Sequence, residues 1–255
     1  WSERGQLLAE SFYLHGKKNG TWSRWSLEGI LRSRGEYREE KEHGVWRIWS
    51  EKGRLLHENS FADGESHGRW RKWSEKGQLL SESFYLHGKK NGTWSRWNPS
   101  GKLNSQESFA DGLNHGALIK WDSEGRMIFS GQYTKGRPSG LWRYWGAHGR
   151  LKYTRSFTSD GGRSISRAYS ELGKIVSEEN MRGDAYEGEV RFWHPNGQVM
   201  LLEFYAEGKI HGLRTAWDPL GNMLAQEEWK NGALVRVIKK APSPEWSWPR
   251  PSAEL

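Results

Sequence analysis

The sequence predicts an all-β protein: an elongated, single-layer, twisted antiparallel meander of about ten β-hairpin repeats of 24 residues each. Three observations lead there. Trp stands at 1, 25, 49, 73, 97, 121 and 145, followed by Tyr169, Trp193 and Trp217, a spacing that never slips. The 255 residues include 17 Trp and 31 Gly but are only 35% apolar, with mean hydropathy −0.92 and no Cys. Too few aliphatics exist for a deep core, so aromatics must cover a thin one, and so many aromatics argue against a disordered chain. Finally, Gly recurs every few residues and no long amphipathic run appears, which leaves helices nowhere to propagate.

Each unit reads in the same order. Four residues after the first Trp comes a Gly (Gly5, Gly29, Gly53, Gly77, Gly101), and two further on an aliphatic (Leu7, Leu31, Leu55, Leu79, Leu103). Six beyond that stands a large apolar residue: Tyr13, Tyr37, Phe61, Tyr85, Phe109, Tyr133, Phe157, Met181, Tyr205 and Trp229. A second Gly follows (Gly20, Gly44, Gly68, Gly92, Gly116, Gly140, Gly188, Gly212), and two residues later a second Trp at 22, 46, 70, 94 and 142. Nine units are full and a tenth is cut short; the one around Ser164–Tyr169 is the most degenerate. Trp1–Trp25 and Trp73–Trp97 differ only at Arg4/Lys76 and Ala9/Ser81, the mark of internal duplication.

The first loop, as in Asn98-Pro99-Ser100-Gly101 and Asp218-Pro219-Leu220-Gly221, fits a type I turn followed by a left-handed Gly. From the aliphatic to the aromatic, Leu79 to Tyr85 for instance, an even separation keeps both on one strand face. The Asn-Gly and His-Gly pairs, such as Asn19-Gly20, His43-Gly44 and His211-Gly212, read as the second turn. The Gly-x-Trp-x-x-Trp segment is the returning strand. Three Pro fall in first turns, Pro138 in a second turn and four in the tail, so none interrupts a predicted strand. Residues 1–240 thus form one continuous array. Residues 241–255 form a Pro-rich tail in which Trp246 and Trp248 either cap the last unit or dock elsewhere, the cap being preferred.

The pattern Phe84-Tyr85-x-x-Gly88-x-x-x-Gly92-x-Trp94-x-x-Trp97-x-x-x-Gly101-x-Leu103 resembles the MORN-repeat variant of bacterial YwqK-type proteins, over Trp1 to about Gly232. The choline-binding cell-wall modules also repeat Gly and Trp, but the 24-residue unit fits the MORN variant better. The resemblance implies a twisted antiparallel sheet of hairpins. It also implies a scaffolding, self-associating or lipid-contacting role, and for the YwqK group an antitoxin or immunity component. Leu118, Ser166, Val190 and Arg214 replace the second Trp, so any continuous ladder breaks there.

Candidate chemistry is sparse. His43, His67, His115 and His211 share one turn position and His15 and His87 another; equivalent positions in neighbouring units lie two strands, roughly 10 Å, apart, too far to share one metal ion. Ser, His and Asp repeat with the array, as in Phe61-Ala62-Asp63-Gly64, and no unique constellation stands apart. The reading is therefore a non-enzyme with no catalytic, cofactor or metal site. Net charge is +8 and the pI about 9.6. The candidate partner-binding rows are Trp22, Trp46, Trp70, Trp94 and Trp142 with the cations Arg24, Lys72, Arg96 and Lys120 beside them. Cations next to aromatics suit anionic lipid or a cell-envelope polymer, while plain cross-strand packing is the competing explanation. A protein partner, a toxin among the options, is the leading expectation. Anionic lipid or envelope polymer is the alternative, nucleic acid is disfavoured, and end-to-end self-association through free strand edges is allowed. Because the chain starts at Trp1, the reading expects a processed or trimmed upstream segment. It leaves the compartment open, preferring the bacterial envelope or secretion to the cytoplasm.

Overall fold

The computed structural model describes residues 1–240 and 246–249, in two compact units. The first, Trp1–Arg126 with Thr134–Gly136, holds β1 (Ala9–Leu14), β2 (Lys17–Trp25), β3 (Leu31–Arg38), β4 (Lys41–Trp49), β5 (Leu55–Ala62), β6 (Glu65–Trp73), β7 (Leu79–Leu86), β8 (Lys89–Trp97), β9 (Leu103–Ala110) and β10 (Leu113–Trp121). The second, Met127–Tyr133 and the described residues from Arg137, holds β11 (Met127–Thr134), β12 (Arg137–Trp145), β13 (Leu151–Phe157), β14 (Arg163–Tyr169), β15 (Ile175–Arg182), β16 (Ala185–Trp193), β17 (Val199–Ala206), β18 (Lys209–Ile210), β19 (Gly212–Trp217), β20 (Met223–Lys230) and β21 (Ala233–Lys239). In both units strands adjacent in sequence pair antiparallel, the expected hairpin meander. Among the described residues helix is confined to the single 3-10 turn Ala147–Gly149, where other units have their first loop.

The first loop folds as predicted, with one addition. Its Gly is left-handed (φ +73° at Gly53, +84° at Gly101, +87° at Gly221). In most units the residue just after the Trp is Ser, Asn or Asp, and it accepts from the turn's own backbone; Gly146 and His194 are the exceptions. Ser50 Oγ accepts from the N–H groups of Lys52 and Arg54, both at 3.2 Å. Asp122 Oδ1 does the same for Glu124 and Arg126, both at 2.9 Å. Such side-chain acceptors stand in for a backbone turn and tie the loop locally. The first Trp of each unit closes the strand opposite the aliphatic, as in Trp49↔Leu55 and Trp73↔Leu79.

The second turn lies four residues before its predicted place. The hairpin tips are His15-Gly16, Asp63-Gly64, His87-Gly88, Asp111-Gly112 and Glu207-Gly208, each with both residues at positive φ, such as 48° and 73° at His87-Gly88. Two successive positive φ values give the hairpin turn whose twist matches the strands. Asn19-Gly20, His43-Gly44 and their equivalents sit inside the returning strands. There the Gly, at φ +91° in Gly68 and +101° in Gly116, forms a β-bulge where the register slips, as between Asn59 and Phe61 against β6. Pro138 is accordingly the second residue of β12 rather than a turn residue.

Burial matches a thin sheet. In the first unit only Phe109 and Leu118 fall among the buried apolar side chains, and most others are half-exposed. The second unit gathers a small core of Val190, Phe192, Leu201 and Ala216.

Candidate interaction surface

The bulge explains why Gly is followed two residues later by Trp. With the register slipped, a carbonyl of the preceding strand is free to accept the indole N–H. Trp70 Nε1 donates to Ser60 O at 3.0 Å, Trp94 Nε1 to Phe84 O at 3.1 Å, Trp46 Nε1 to Glu36 O at 3.2 Å and Trp142 Nε1 to Gln132 O at 3.0 Å. So fixed, Trp70, Trp94 and Trp142 each meet the recurring aromatic on both sides, and Trp46 meets Tyr37. Phe61, Trp70, Tyr85, Trp94 and Phe109 form a continuous ladder, with ring centroids 5.0–5.3 Å apart. Trp22 and Trp46 touch directly, centroids 5.5 Å apart. In the second unit Trp142 is held between Tyr133 and Phe157 at 5.1 and 4.9 Å. Tilted and edge-on pairs of this kind add about 0.5–1.5 kcal/mol each beyond the area they bury.

The predicted cation row is less uniform. Arg24 lies 6.0 Å from the Trp22 ring. Arg96 is drawn to Glu107 at 3.4 Å instead. Lys72 stands exposed opposite His57, whose pKa is lowered by burial and then by that ammonium. Lys120 is exposed on β10 opposite Ser105. Cations outside the expected row also sit over rings. Lys90 is 4.3 Å from Trp94 and 4.8 Å from Phe109, and Lys18 is 5.0 Å from Tyr37. In the second unit Arg155 is 5.1 Å from Phe157. Lys18 and Lys90 occupy one repeat position two residues before the bulge Gly; that shared position was the available signal. Other Arg side chains alternate with acids across the strands, Arg71 between Glu82 at 2.7 Å and Glu58 at 3.5 Å, which neutralises much of the basic excess locally.

The turn-series histidines link successive hairpin tips. Nδ1 of His43 accepts from Asp63 N at 3.5 Å and that of His115 from Lys135 N at 3.3 Å, while His211 Nδ1 lies 3.0 Å from Asn231 Oδ1. His67 and His87 have ring centroids 5.0 Å apart. The comparison of equivalent positions missed this pair, because the two residues occupy different positions of the unit.

Within the second unit the ladder is interrupted where Ser166, Val190 and Arg214 replace the Trp. Ser166 Oγ meets Met181 Sδ at 3.6 Å, and an open cleft of about 510 Å³ follows, with Phe157, Ser164, Met181 and Tyr205 in its wall. Next to it Trp246 and Trp248, 5.1 Å apart, pack against the cluster of Val190, Phe192, Leu201 and Ala216. The cluster they cover belongs to β16, β17 and β19, whereas the expected cap lay over the last unit; the rest of the tail lies outside the described residues. Beneath the pair is a polar group that no other unit repeats. Arg214 has its guanidinium 4.0 Å from the Trp248 ring and Nε 2.7 Å from Glu203 Oε1, and Tyr205 donates to Glu203 Oε2 at 2.9 Å. Glu203 is only 5% exposed, and burial followed by the Glu203 charge pushes the Tyr205 hydroxyl pKa well up.

The family profile described as "MORN repeat variant" matches this chain at residues 66–87, 90–111 and 186–207. Each matched segment contains one first loop with nearly the whole of the strands on either side of it, as β6 and β7 in 66–87, and stops at the following hairpin tip. No curated protein matches the chain. Among solved structures, the crystal structure of TcdB2-TccC3-Cdc42 aligns at 13% identity and TM-score 0.22, over 88% of this chain and 13% of that one. The Photorhabdus luminescens Tc holotoxin pore aligns at 13% identity and TM-score 0.23, with the same coverages. This chain therefore spans about an eighth of the length of either.

Proposed function

We propose that this chain is a non-catalytic repeat scaffold that binds a partner protein along the aromatic face of its sheet. The observation that supports this reading is the ladder Phe61–Trp70–Tyr85–Trp94–Phe109, whose members other than Phe109 are only half-buried. Its indole N–H groups are satisfied within the sheet, as at Trp70 and Trp94, so the rings offer apolar area at little conformational cost. Large aromatics held rigid at a surface are the side chains that dominate protein interfaces. The finer form of this reading is an immunity or antitoxin role with a toxin as partner, and it rests on the YwqK-type resemblance.

A second reading, binding of anionic lipid or a cell-envelope polymer, is favoured by Lys90 over Trp94 and Phe109. Capture from bacterial extract with chemical cross-linking tests both, using the wild-type chain beside a Lys18→Glu/Lys90→Glu variant. A partner protein retained in stoichiometric amount is the expected result. Retention of no protein, together with sedimentation on anionic vesicles that salt abolishes, would move the function to the second reading. Turnover of a substrate without any partner would overturn both.

A further inference from the structure

The second unit contains a site whose occupant is visible. Five units carry a second Trp that fills the ladder, whereas the last units put Val190 and Arg214 there. Two Trp from outside the repeat, Trp246 and Trp248, pack on the cluster that contains Val190, and Trp248 lies over Arg214. Contact is specific. Trp248 stacks on Arg214, whose guanidinium is held from its other partner by Glu203, and Glu203 is held in turn by Tyr205. Side chains below are small or fully buried, with Ala216 at 0% and Leu201 and Val190 at 1% exposed, so the floor is apolar and fixed.

We infer that this stretch of the sheet is a docking groove for an extended, Trp-bearing peptide segment of the partner protein, and that Trp246-Ser247-Trp248 is the chain's own occupant, which the partner's segment replaces. The inference rests on the scaffold reading above and says where the partner binds and what it presents. The class of occupant follows from what is seated there now: two indoles one residue apart, one of them over a guanidinium. Room for more than the present pair is also visible. The cleft of about 510 Å³ shares Tyr205 with the covered cluster, and its other walls include the ladder residues Phe157 and Met181. It carries Arg163 and Glu187 at its polar margin. Phe157, the ladder ring that packs on Trp142, forms part of its wall, so an aromatic side chain of the incoming segment entering the cleft would meet the end of the row there.

Because the tail is tethered, its effective concentration is in the range of millimolar, and a competing segment binds weakly until the groove is vacated. The test uses a fluorescein-labelled peptide with the sequence of residues 245–250 (Glu-Trp-Ser-Trp-Pro-Arg), titrated to about 1 mM against the whole chain. The Trp246→Ala/Trp248→Ala variant is expected to bind it at least about tenfold more tightly than the wild type. Adding Val190→Trp, which restores the indole found in other units, is expected to abolish that binding. Equal binding to wild type and variant, no binding at the highest concentration, or binding that survives Val190→Trp would each overturn the inference. If the double variant loses its cooperative melt, Trp248→Ala alone, which keeps Trp246 on the cluster, carries the same comparison. A negative peptide result alongside a captured partner removes the groove and leaves the scaffold; a bound peptide with no captured partner does the reverse.

Discussion

Trp46 lies directly over Gly35: a Cβ added at Gly35 would stand 2.1 Å from Trp46 Cδ2 and 2.2 Å from Cε2. Gly35 has no positive φ, so its requirement is purely one of space. The absent side chain brings the Trp46 ring down to the sheet and into contact with Trp22, whose register partner is Gly35 itself. Between Trp46 and Trp70 the equivalent position is Asn59, and between Trp70 and Trp94 it is Ser83; there the contacts run through Phe61 and Tyr85 instead.

Gly35→Ala should therefore force the Trp46 ring off its seat, at a cost of about 1–3 kcal/mol for overpacking. Gly77→Ala is the control. Gly77 has φ +81° and open space around its Cβ, so only the left-handed backbone penalty of about 1–2 kcal/mol applies. Each unit of an array leans mainly on its neighbours, so amide exchange read strand by strand is the proper measurement. The expected result for Gly35→Ala is faster exchange in β3 and β4 with β8 and β9 unchanged, and an effect spread over all strands would refute the seat.

The indole–carbonyl bond makes a separate prediction. Trp70→Phe keeps a ring between Phe61 and Tyr85 but removes the donor to Ser60 O. The loss is expected to be about 1–3 kcal/mol, because the carbonyl at the bulge is left without that partner. Trp70→Ala, which also removes the ring, should cost about 3–5 kcal/mol. Urea denaturation of both variants checks the order. Equal losses would mean that the hydrogen bond contributes nothing and that the Gly-x-Trp spacing needs another cause.

The architecture was legible because its signals are periodic: Trp217 falls in register with Trp1 across the whole chain, and the left-handed Gly of each first loop stood where turn chemistry requires it. The Asn-Gly pairs misled for a physical reason. A left-handed Gly serves a bulge as well as a hairpin tip, and most units carry both, four residues apart, as at Gly16 and Gly20. Gly35 and Gly131 share one repeat position, but most units carry a larger residue there, so no recurring Gly marks it, although an added Cβ at either would collide with a ladder indole. The group of Glu203, Tyr205, Arg214 and Trp248 was hidden for the opposite reason. Its members look like degenerate repeat positions and a stray tail residue, and only the chain's return onto the sheet brings them together.

The two first loops that open on Asp give a pH dependence. The Asp218 carboxyl is held below its ordinary pKa by the Asn222 side chain, then by the backbone N–H groups of Asn222, Leu220 and Gly221. That of Asp122 is lowered by hydrogen bonds from the Arg126 backbone and side chain. A carboxylate whose folded pKa is depressed adds stability above its unfolded pKa of about 3.9, and that contribution is lost as pH falls through the folded value. Asp218→Ala should therefore lower the urea midpoint at pH 7, while Asp218→Asn, the residue used at Asn98, should lower it less. The gap between wild type and Asp218→Ala should shrink as pH drops below about 4. A gap that stays constant to pH 2 would show that the carboxylate form has no special role in the loop.

Arg214 and Glu203 supply the strongest single-site prediction, because both are removed from water. The Glu203 side chain is 7% exposed and that of Arg214 18%, with their charged atoms 2.7 Å apart. Arg214→Met leaves the carboxylate buried with only the Tyr205 hydroxyl donated to it, and breaking such a pair costs about 3–5 kcal/mol. It also takes away the cation under Trp248, so the tail should loosen as well. Tryptophan fluorescence should report greater solvent exposure in this variant at denaturant concentrations where the sheet remains intact. Glu203→Leu combined with Arg214→Met should recover most of the lost stability, since apolar replacement of a whole buried pair is often close to neutral. It should not restore the docked Trp248, whose stacking depends on the guanidinium. Recovery of both together would mean that Trp248 is held by apolar contact alone, and failure to recover either would mean that the pair is needed to shape the groove floor.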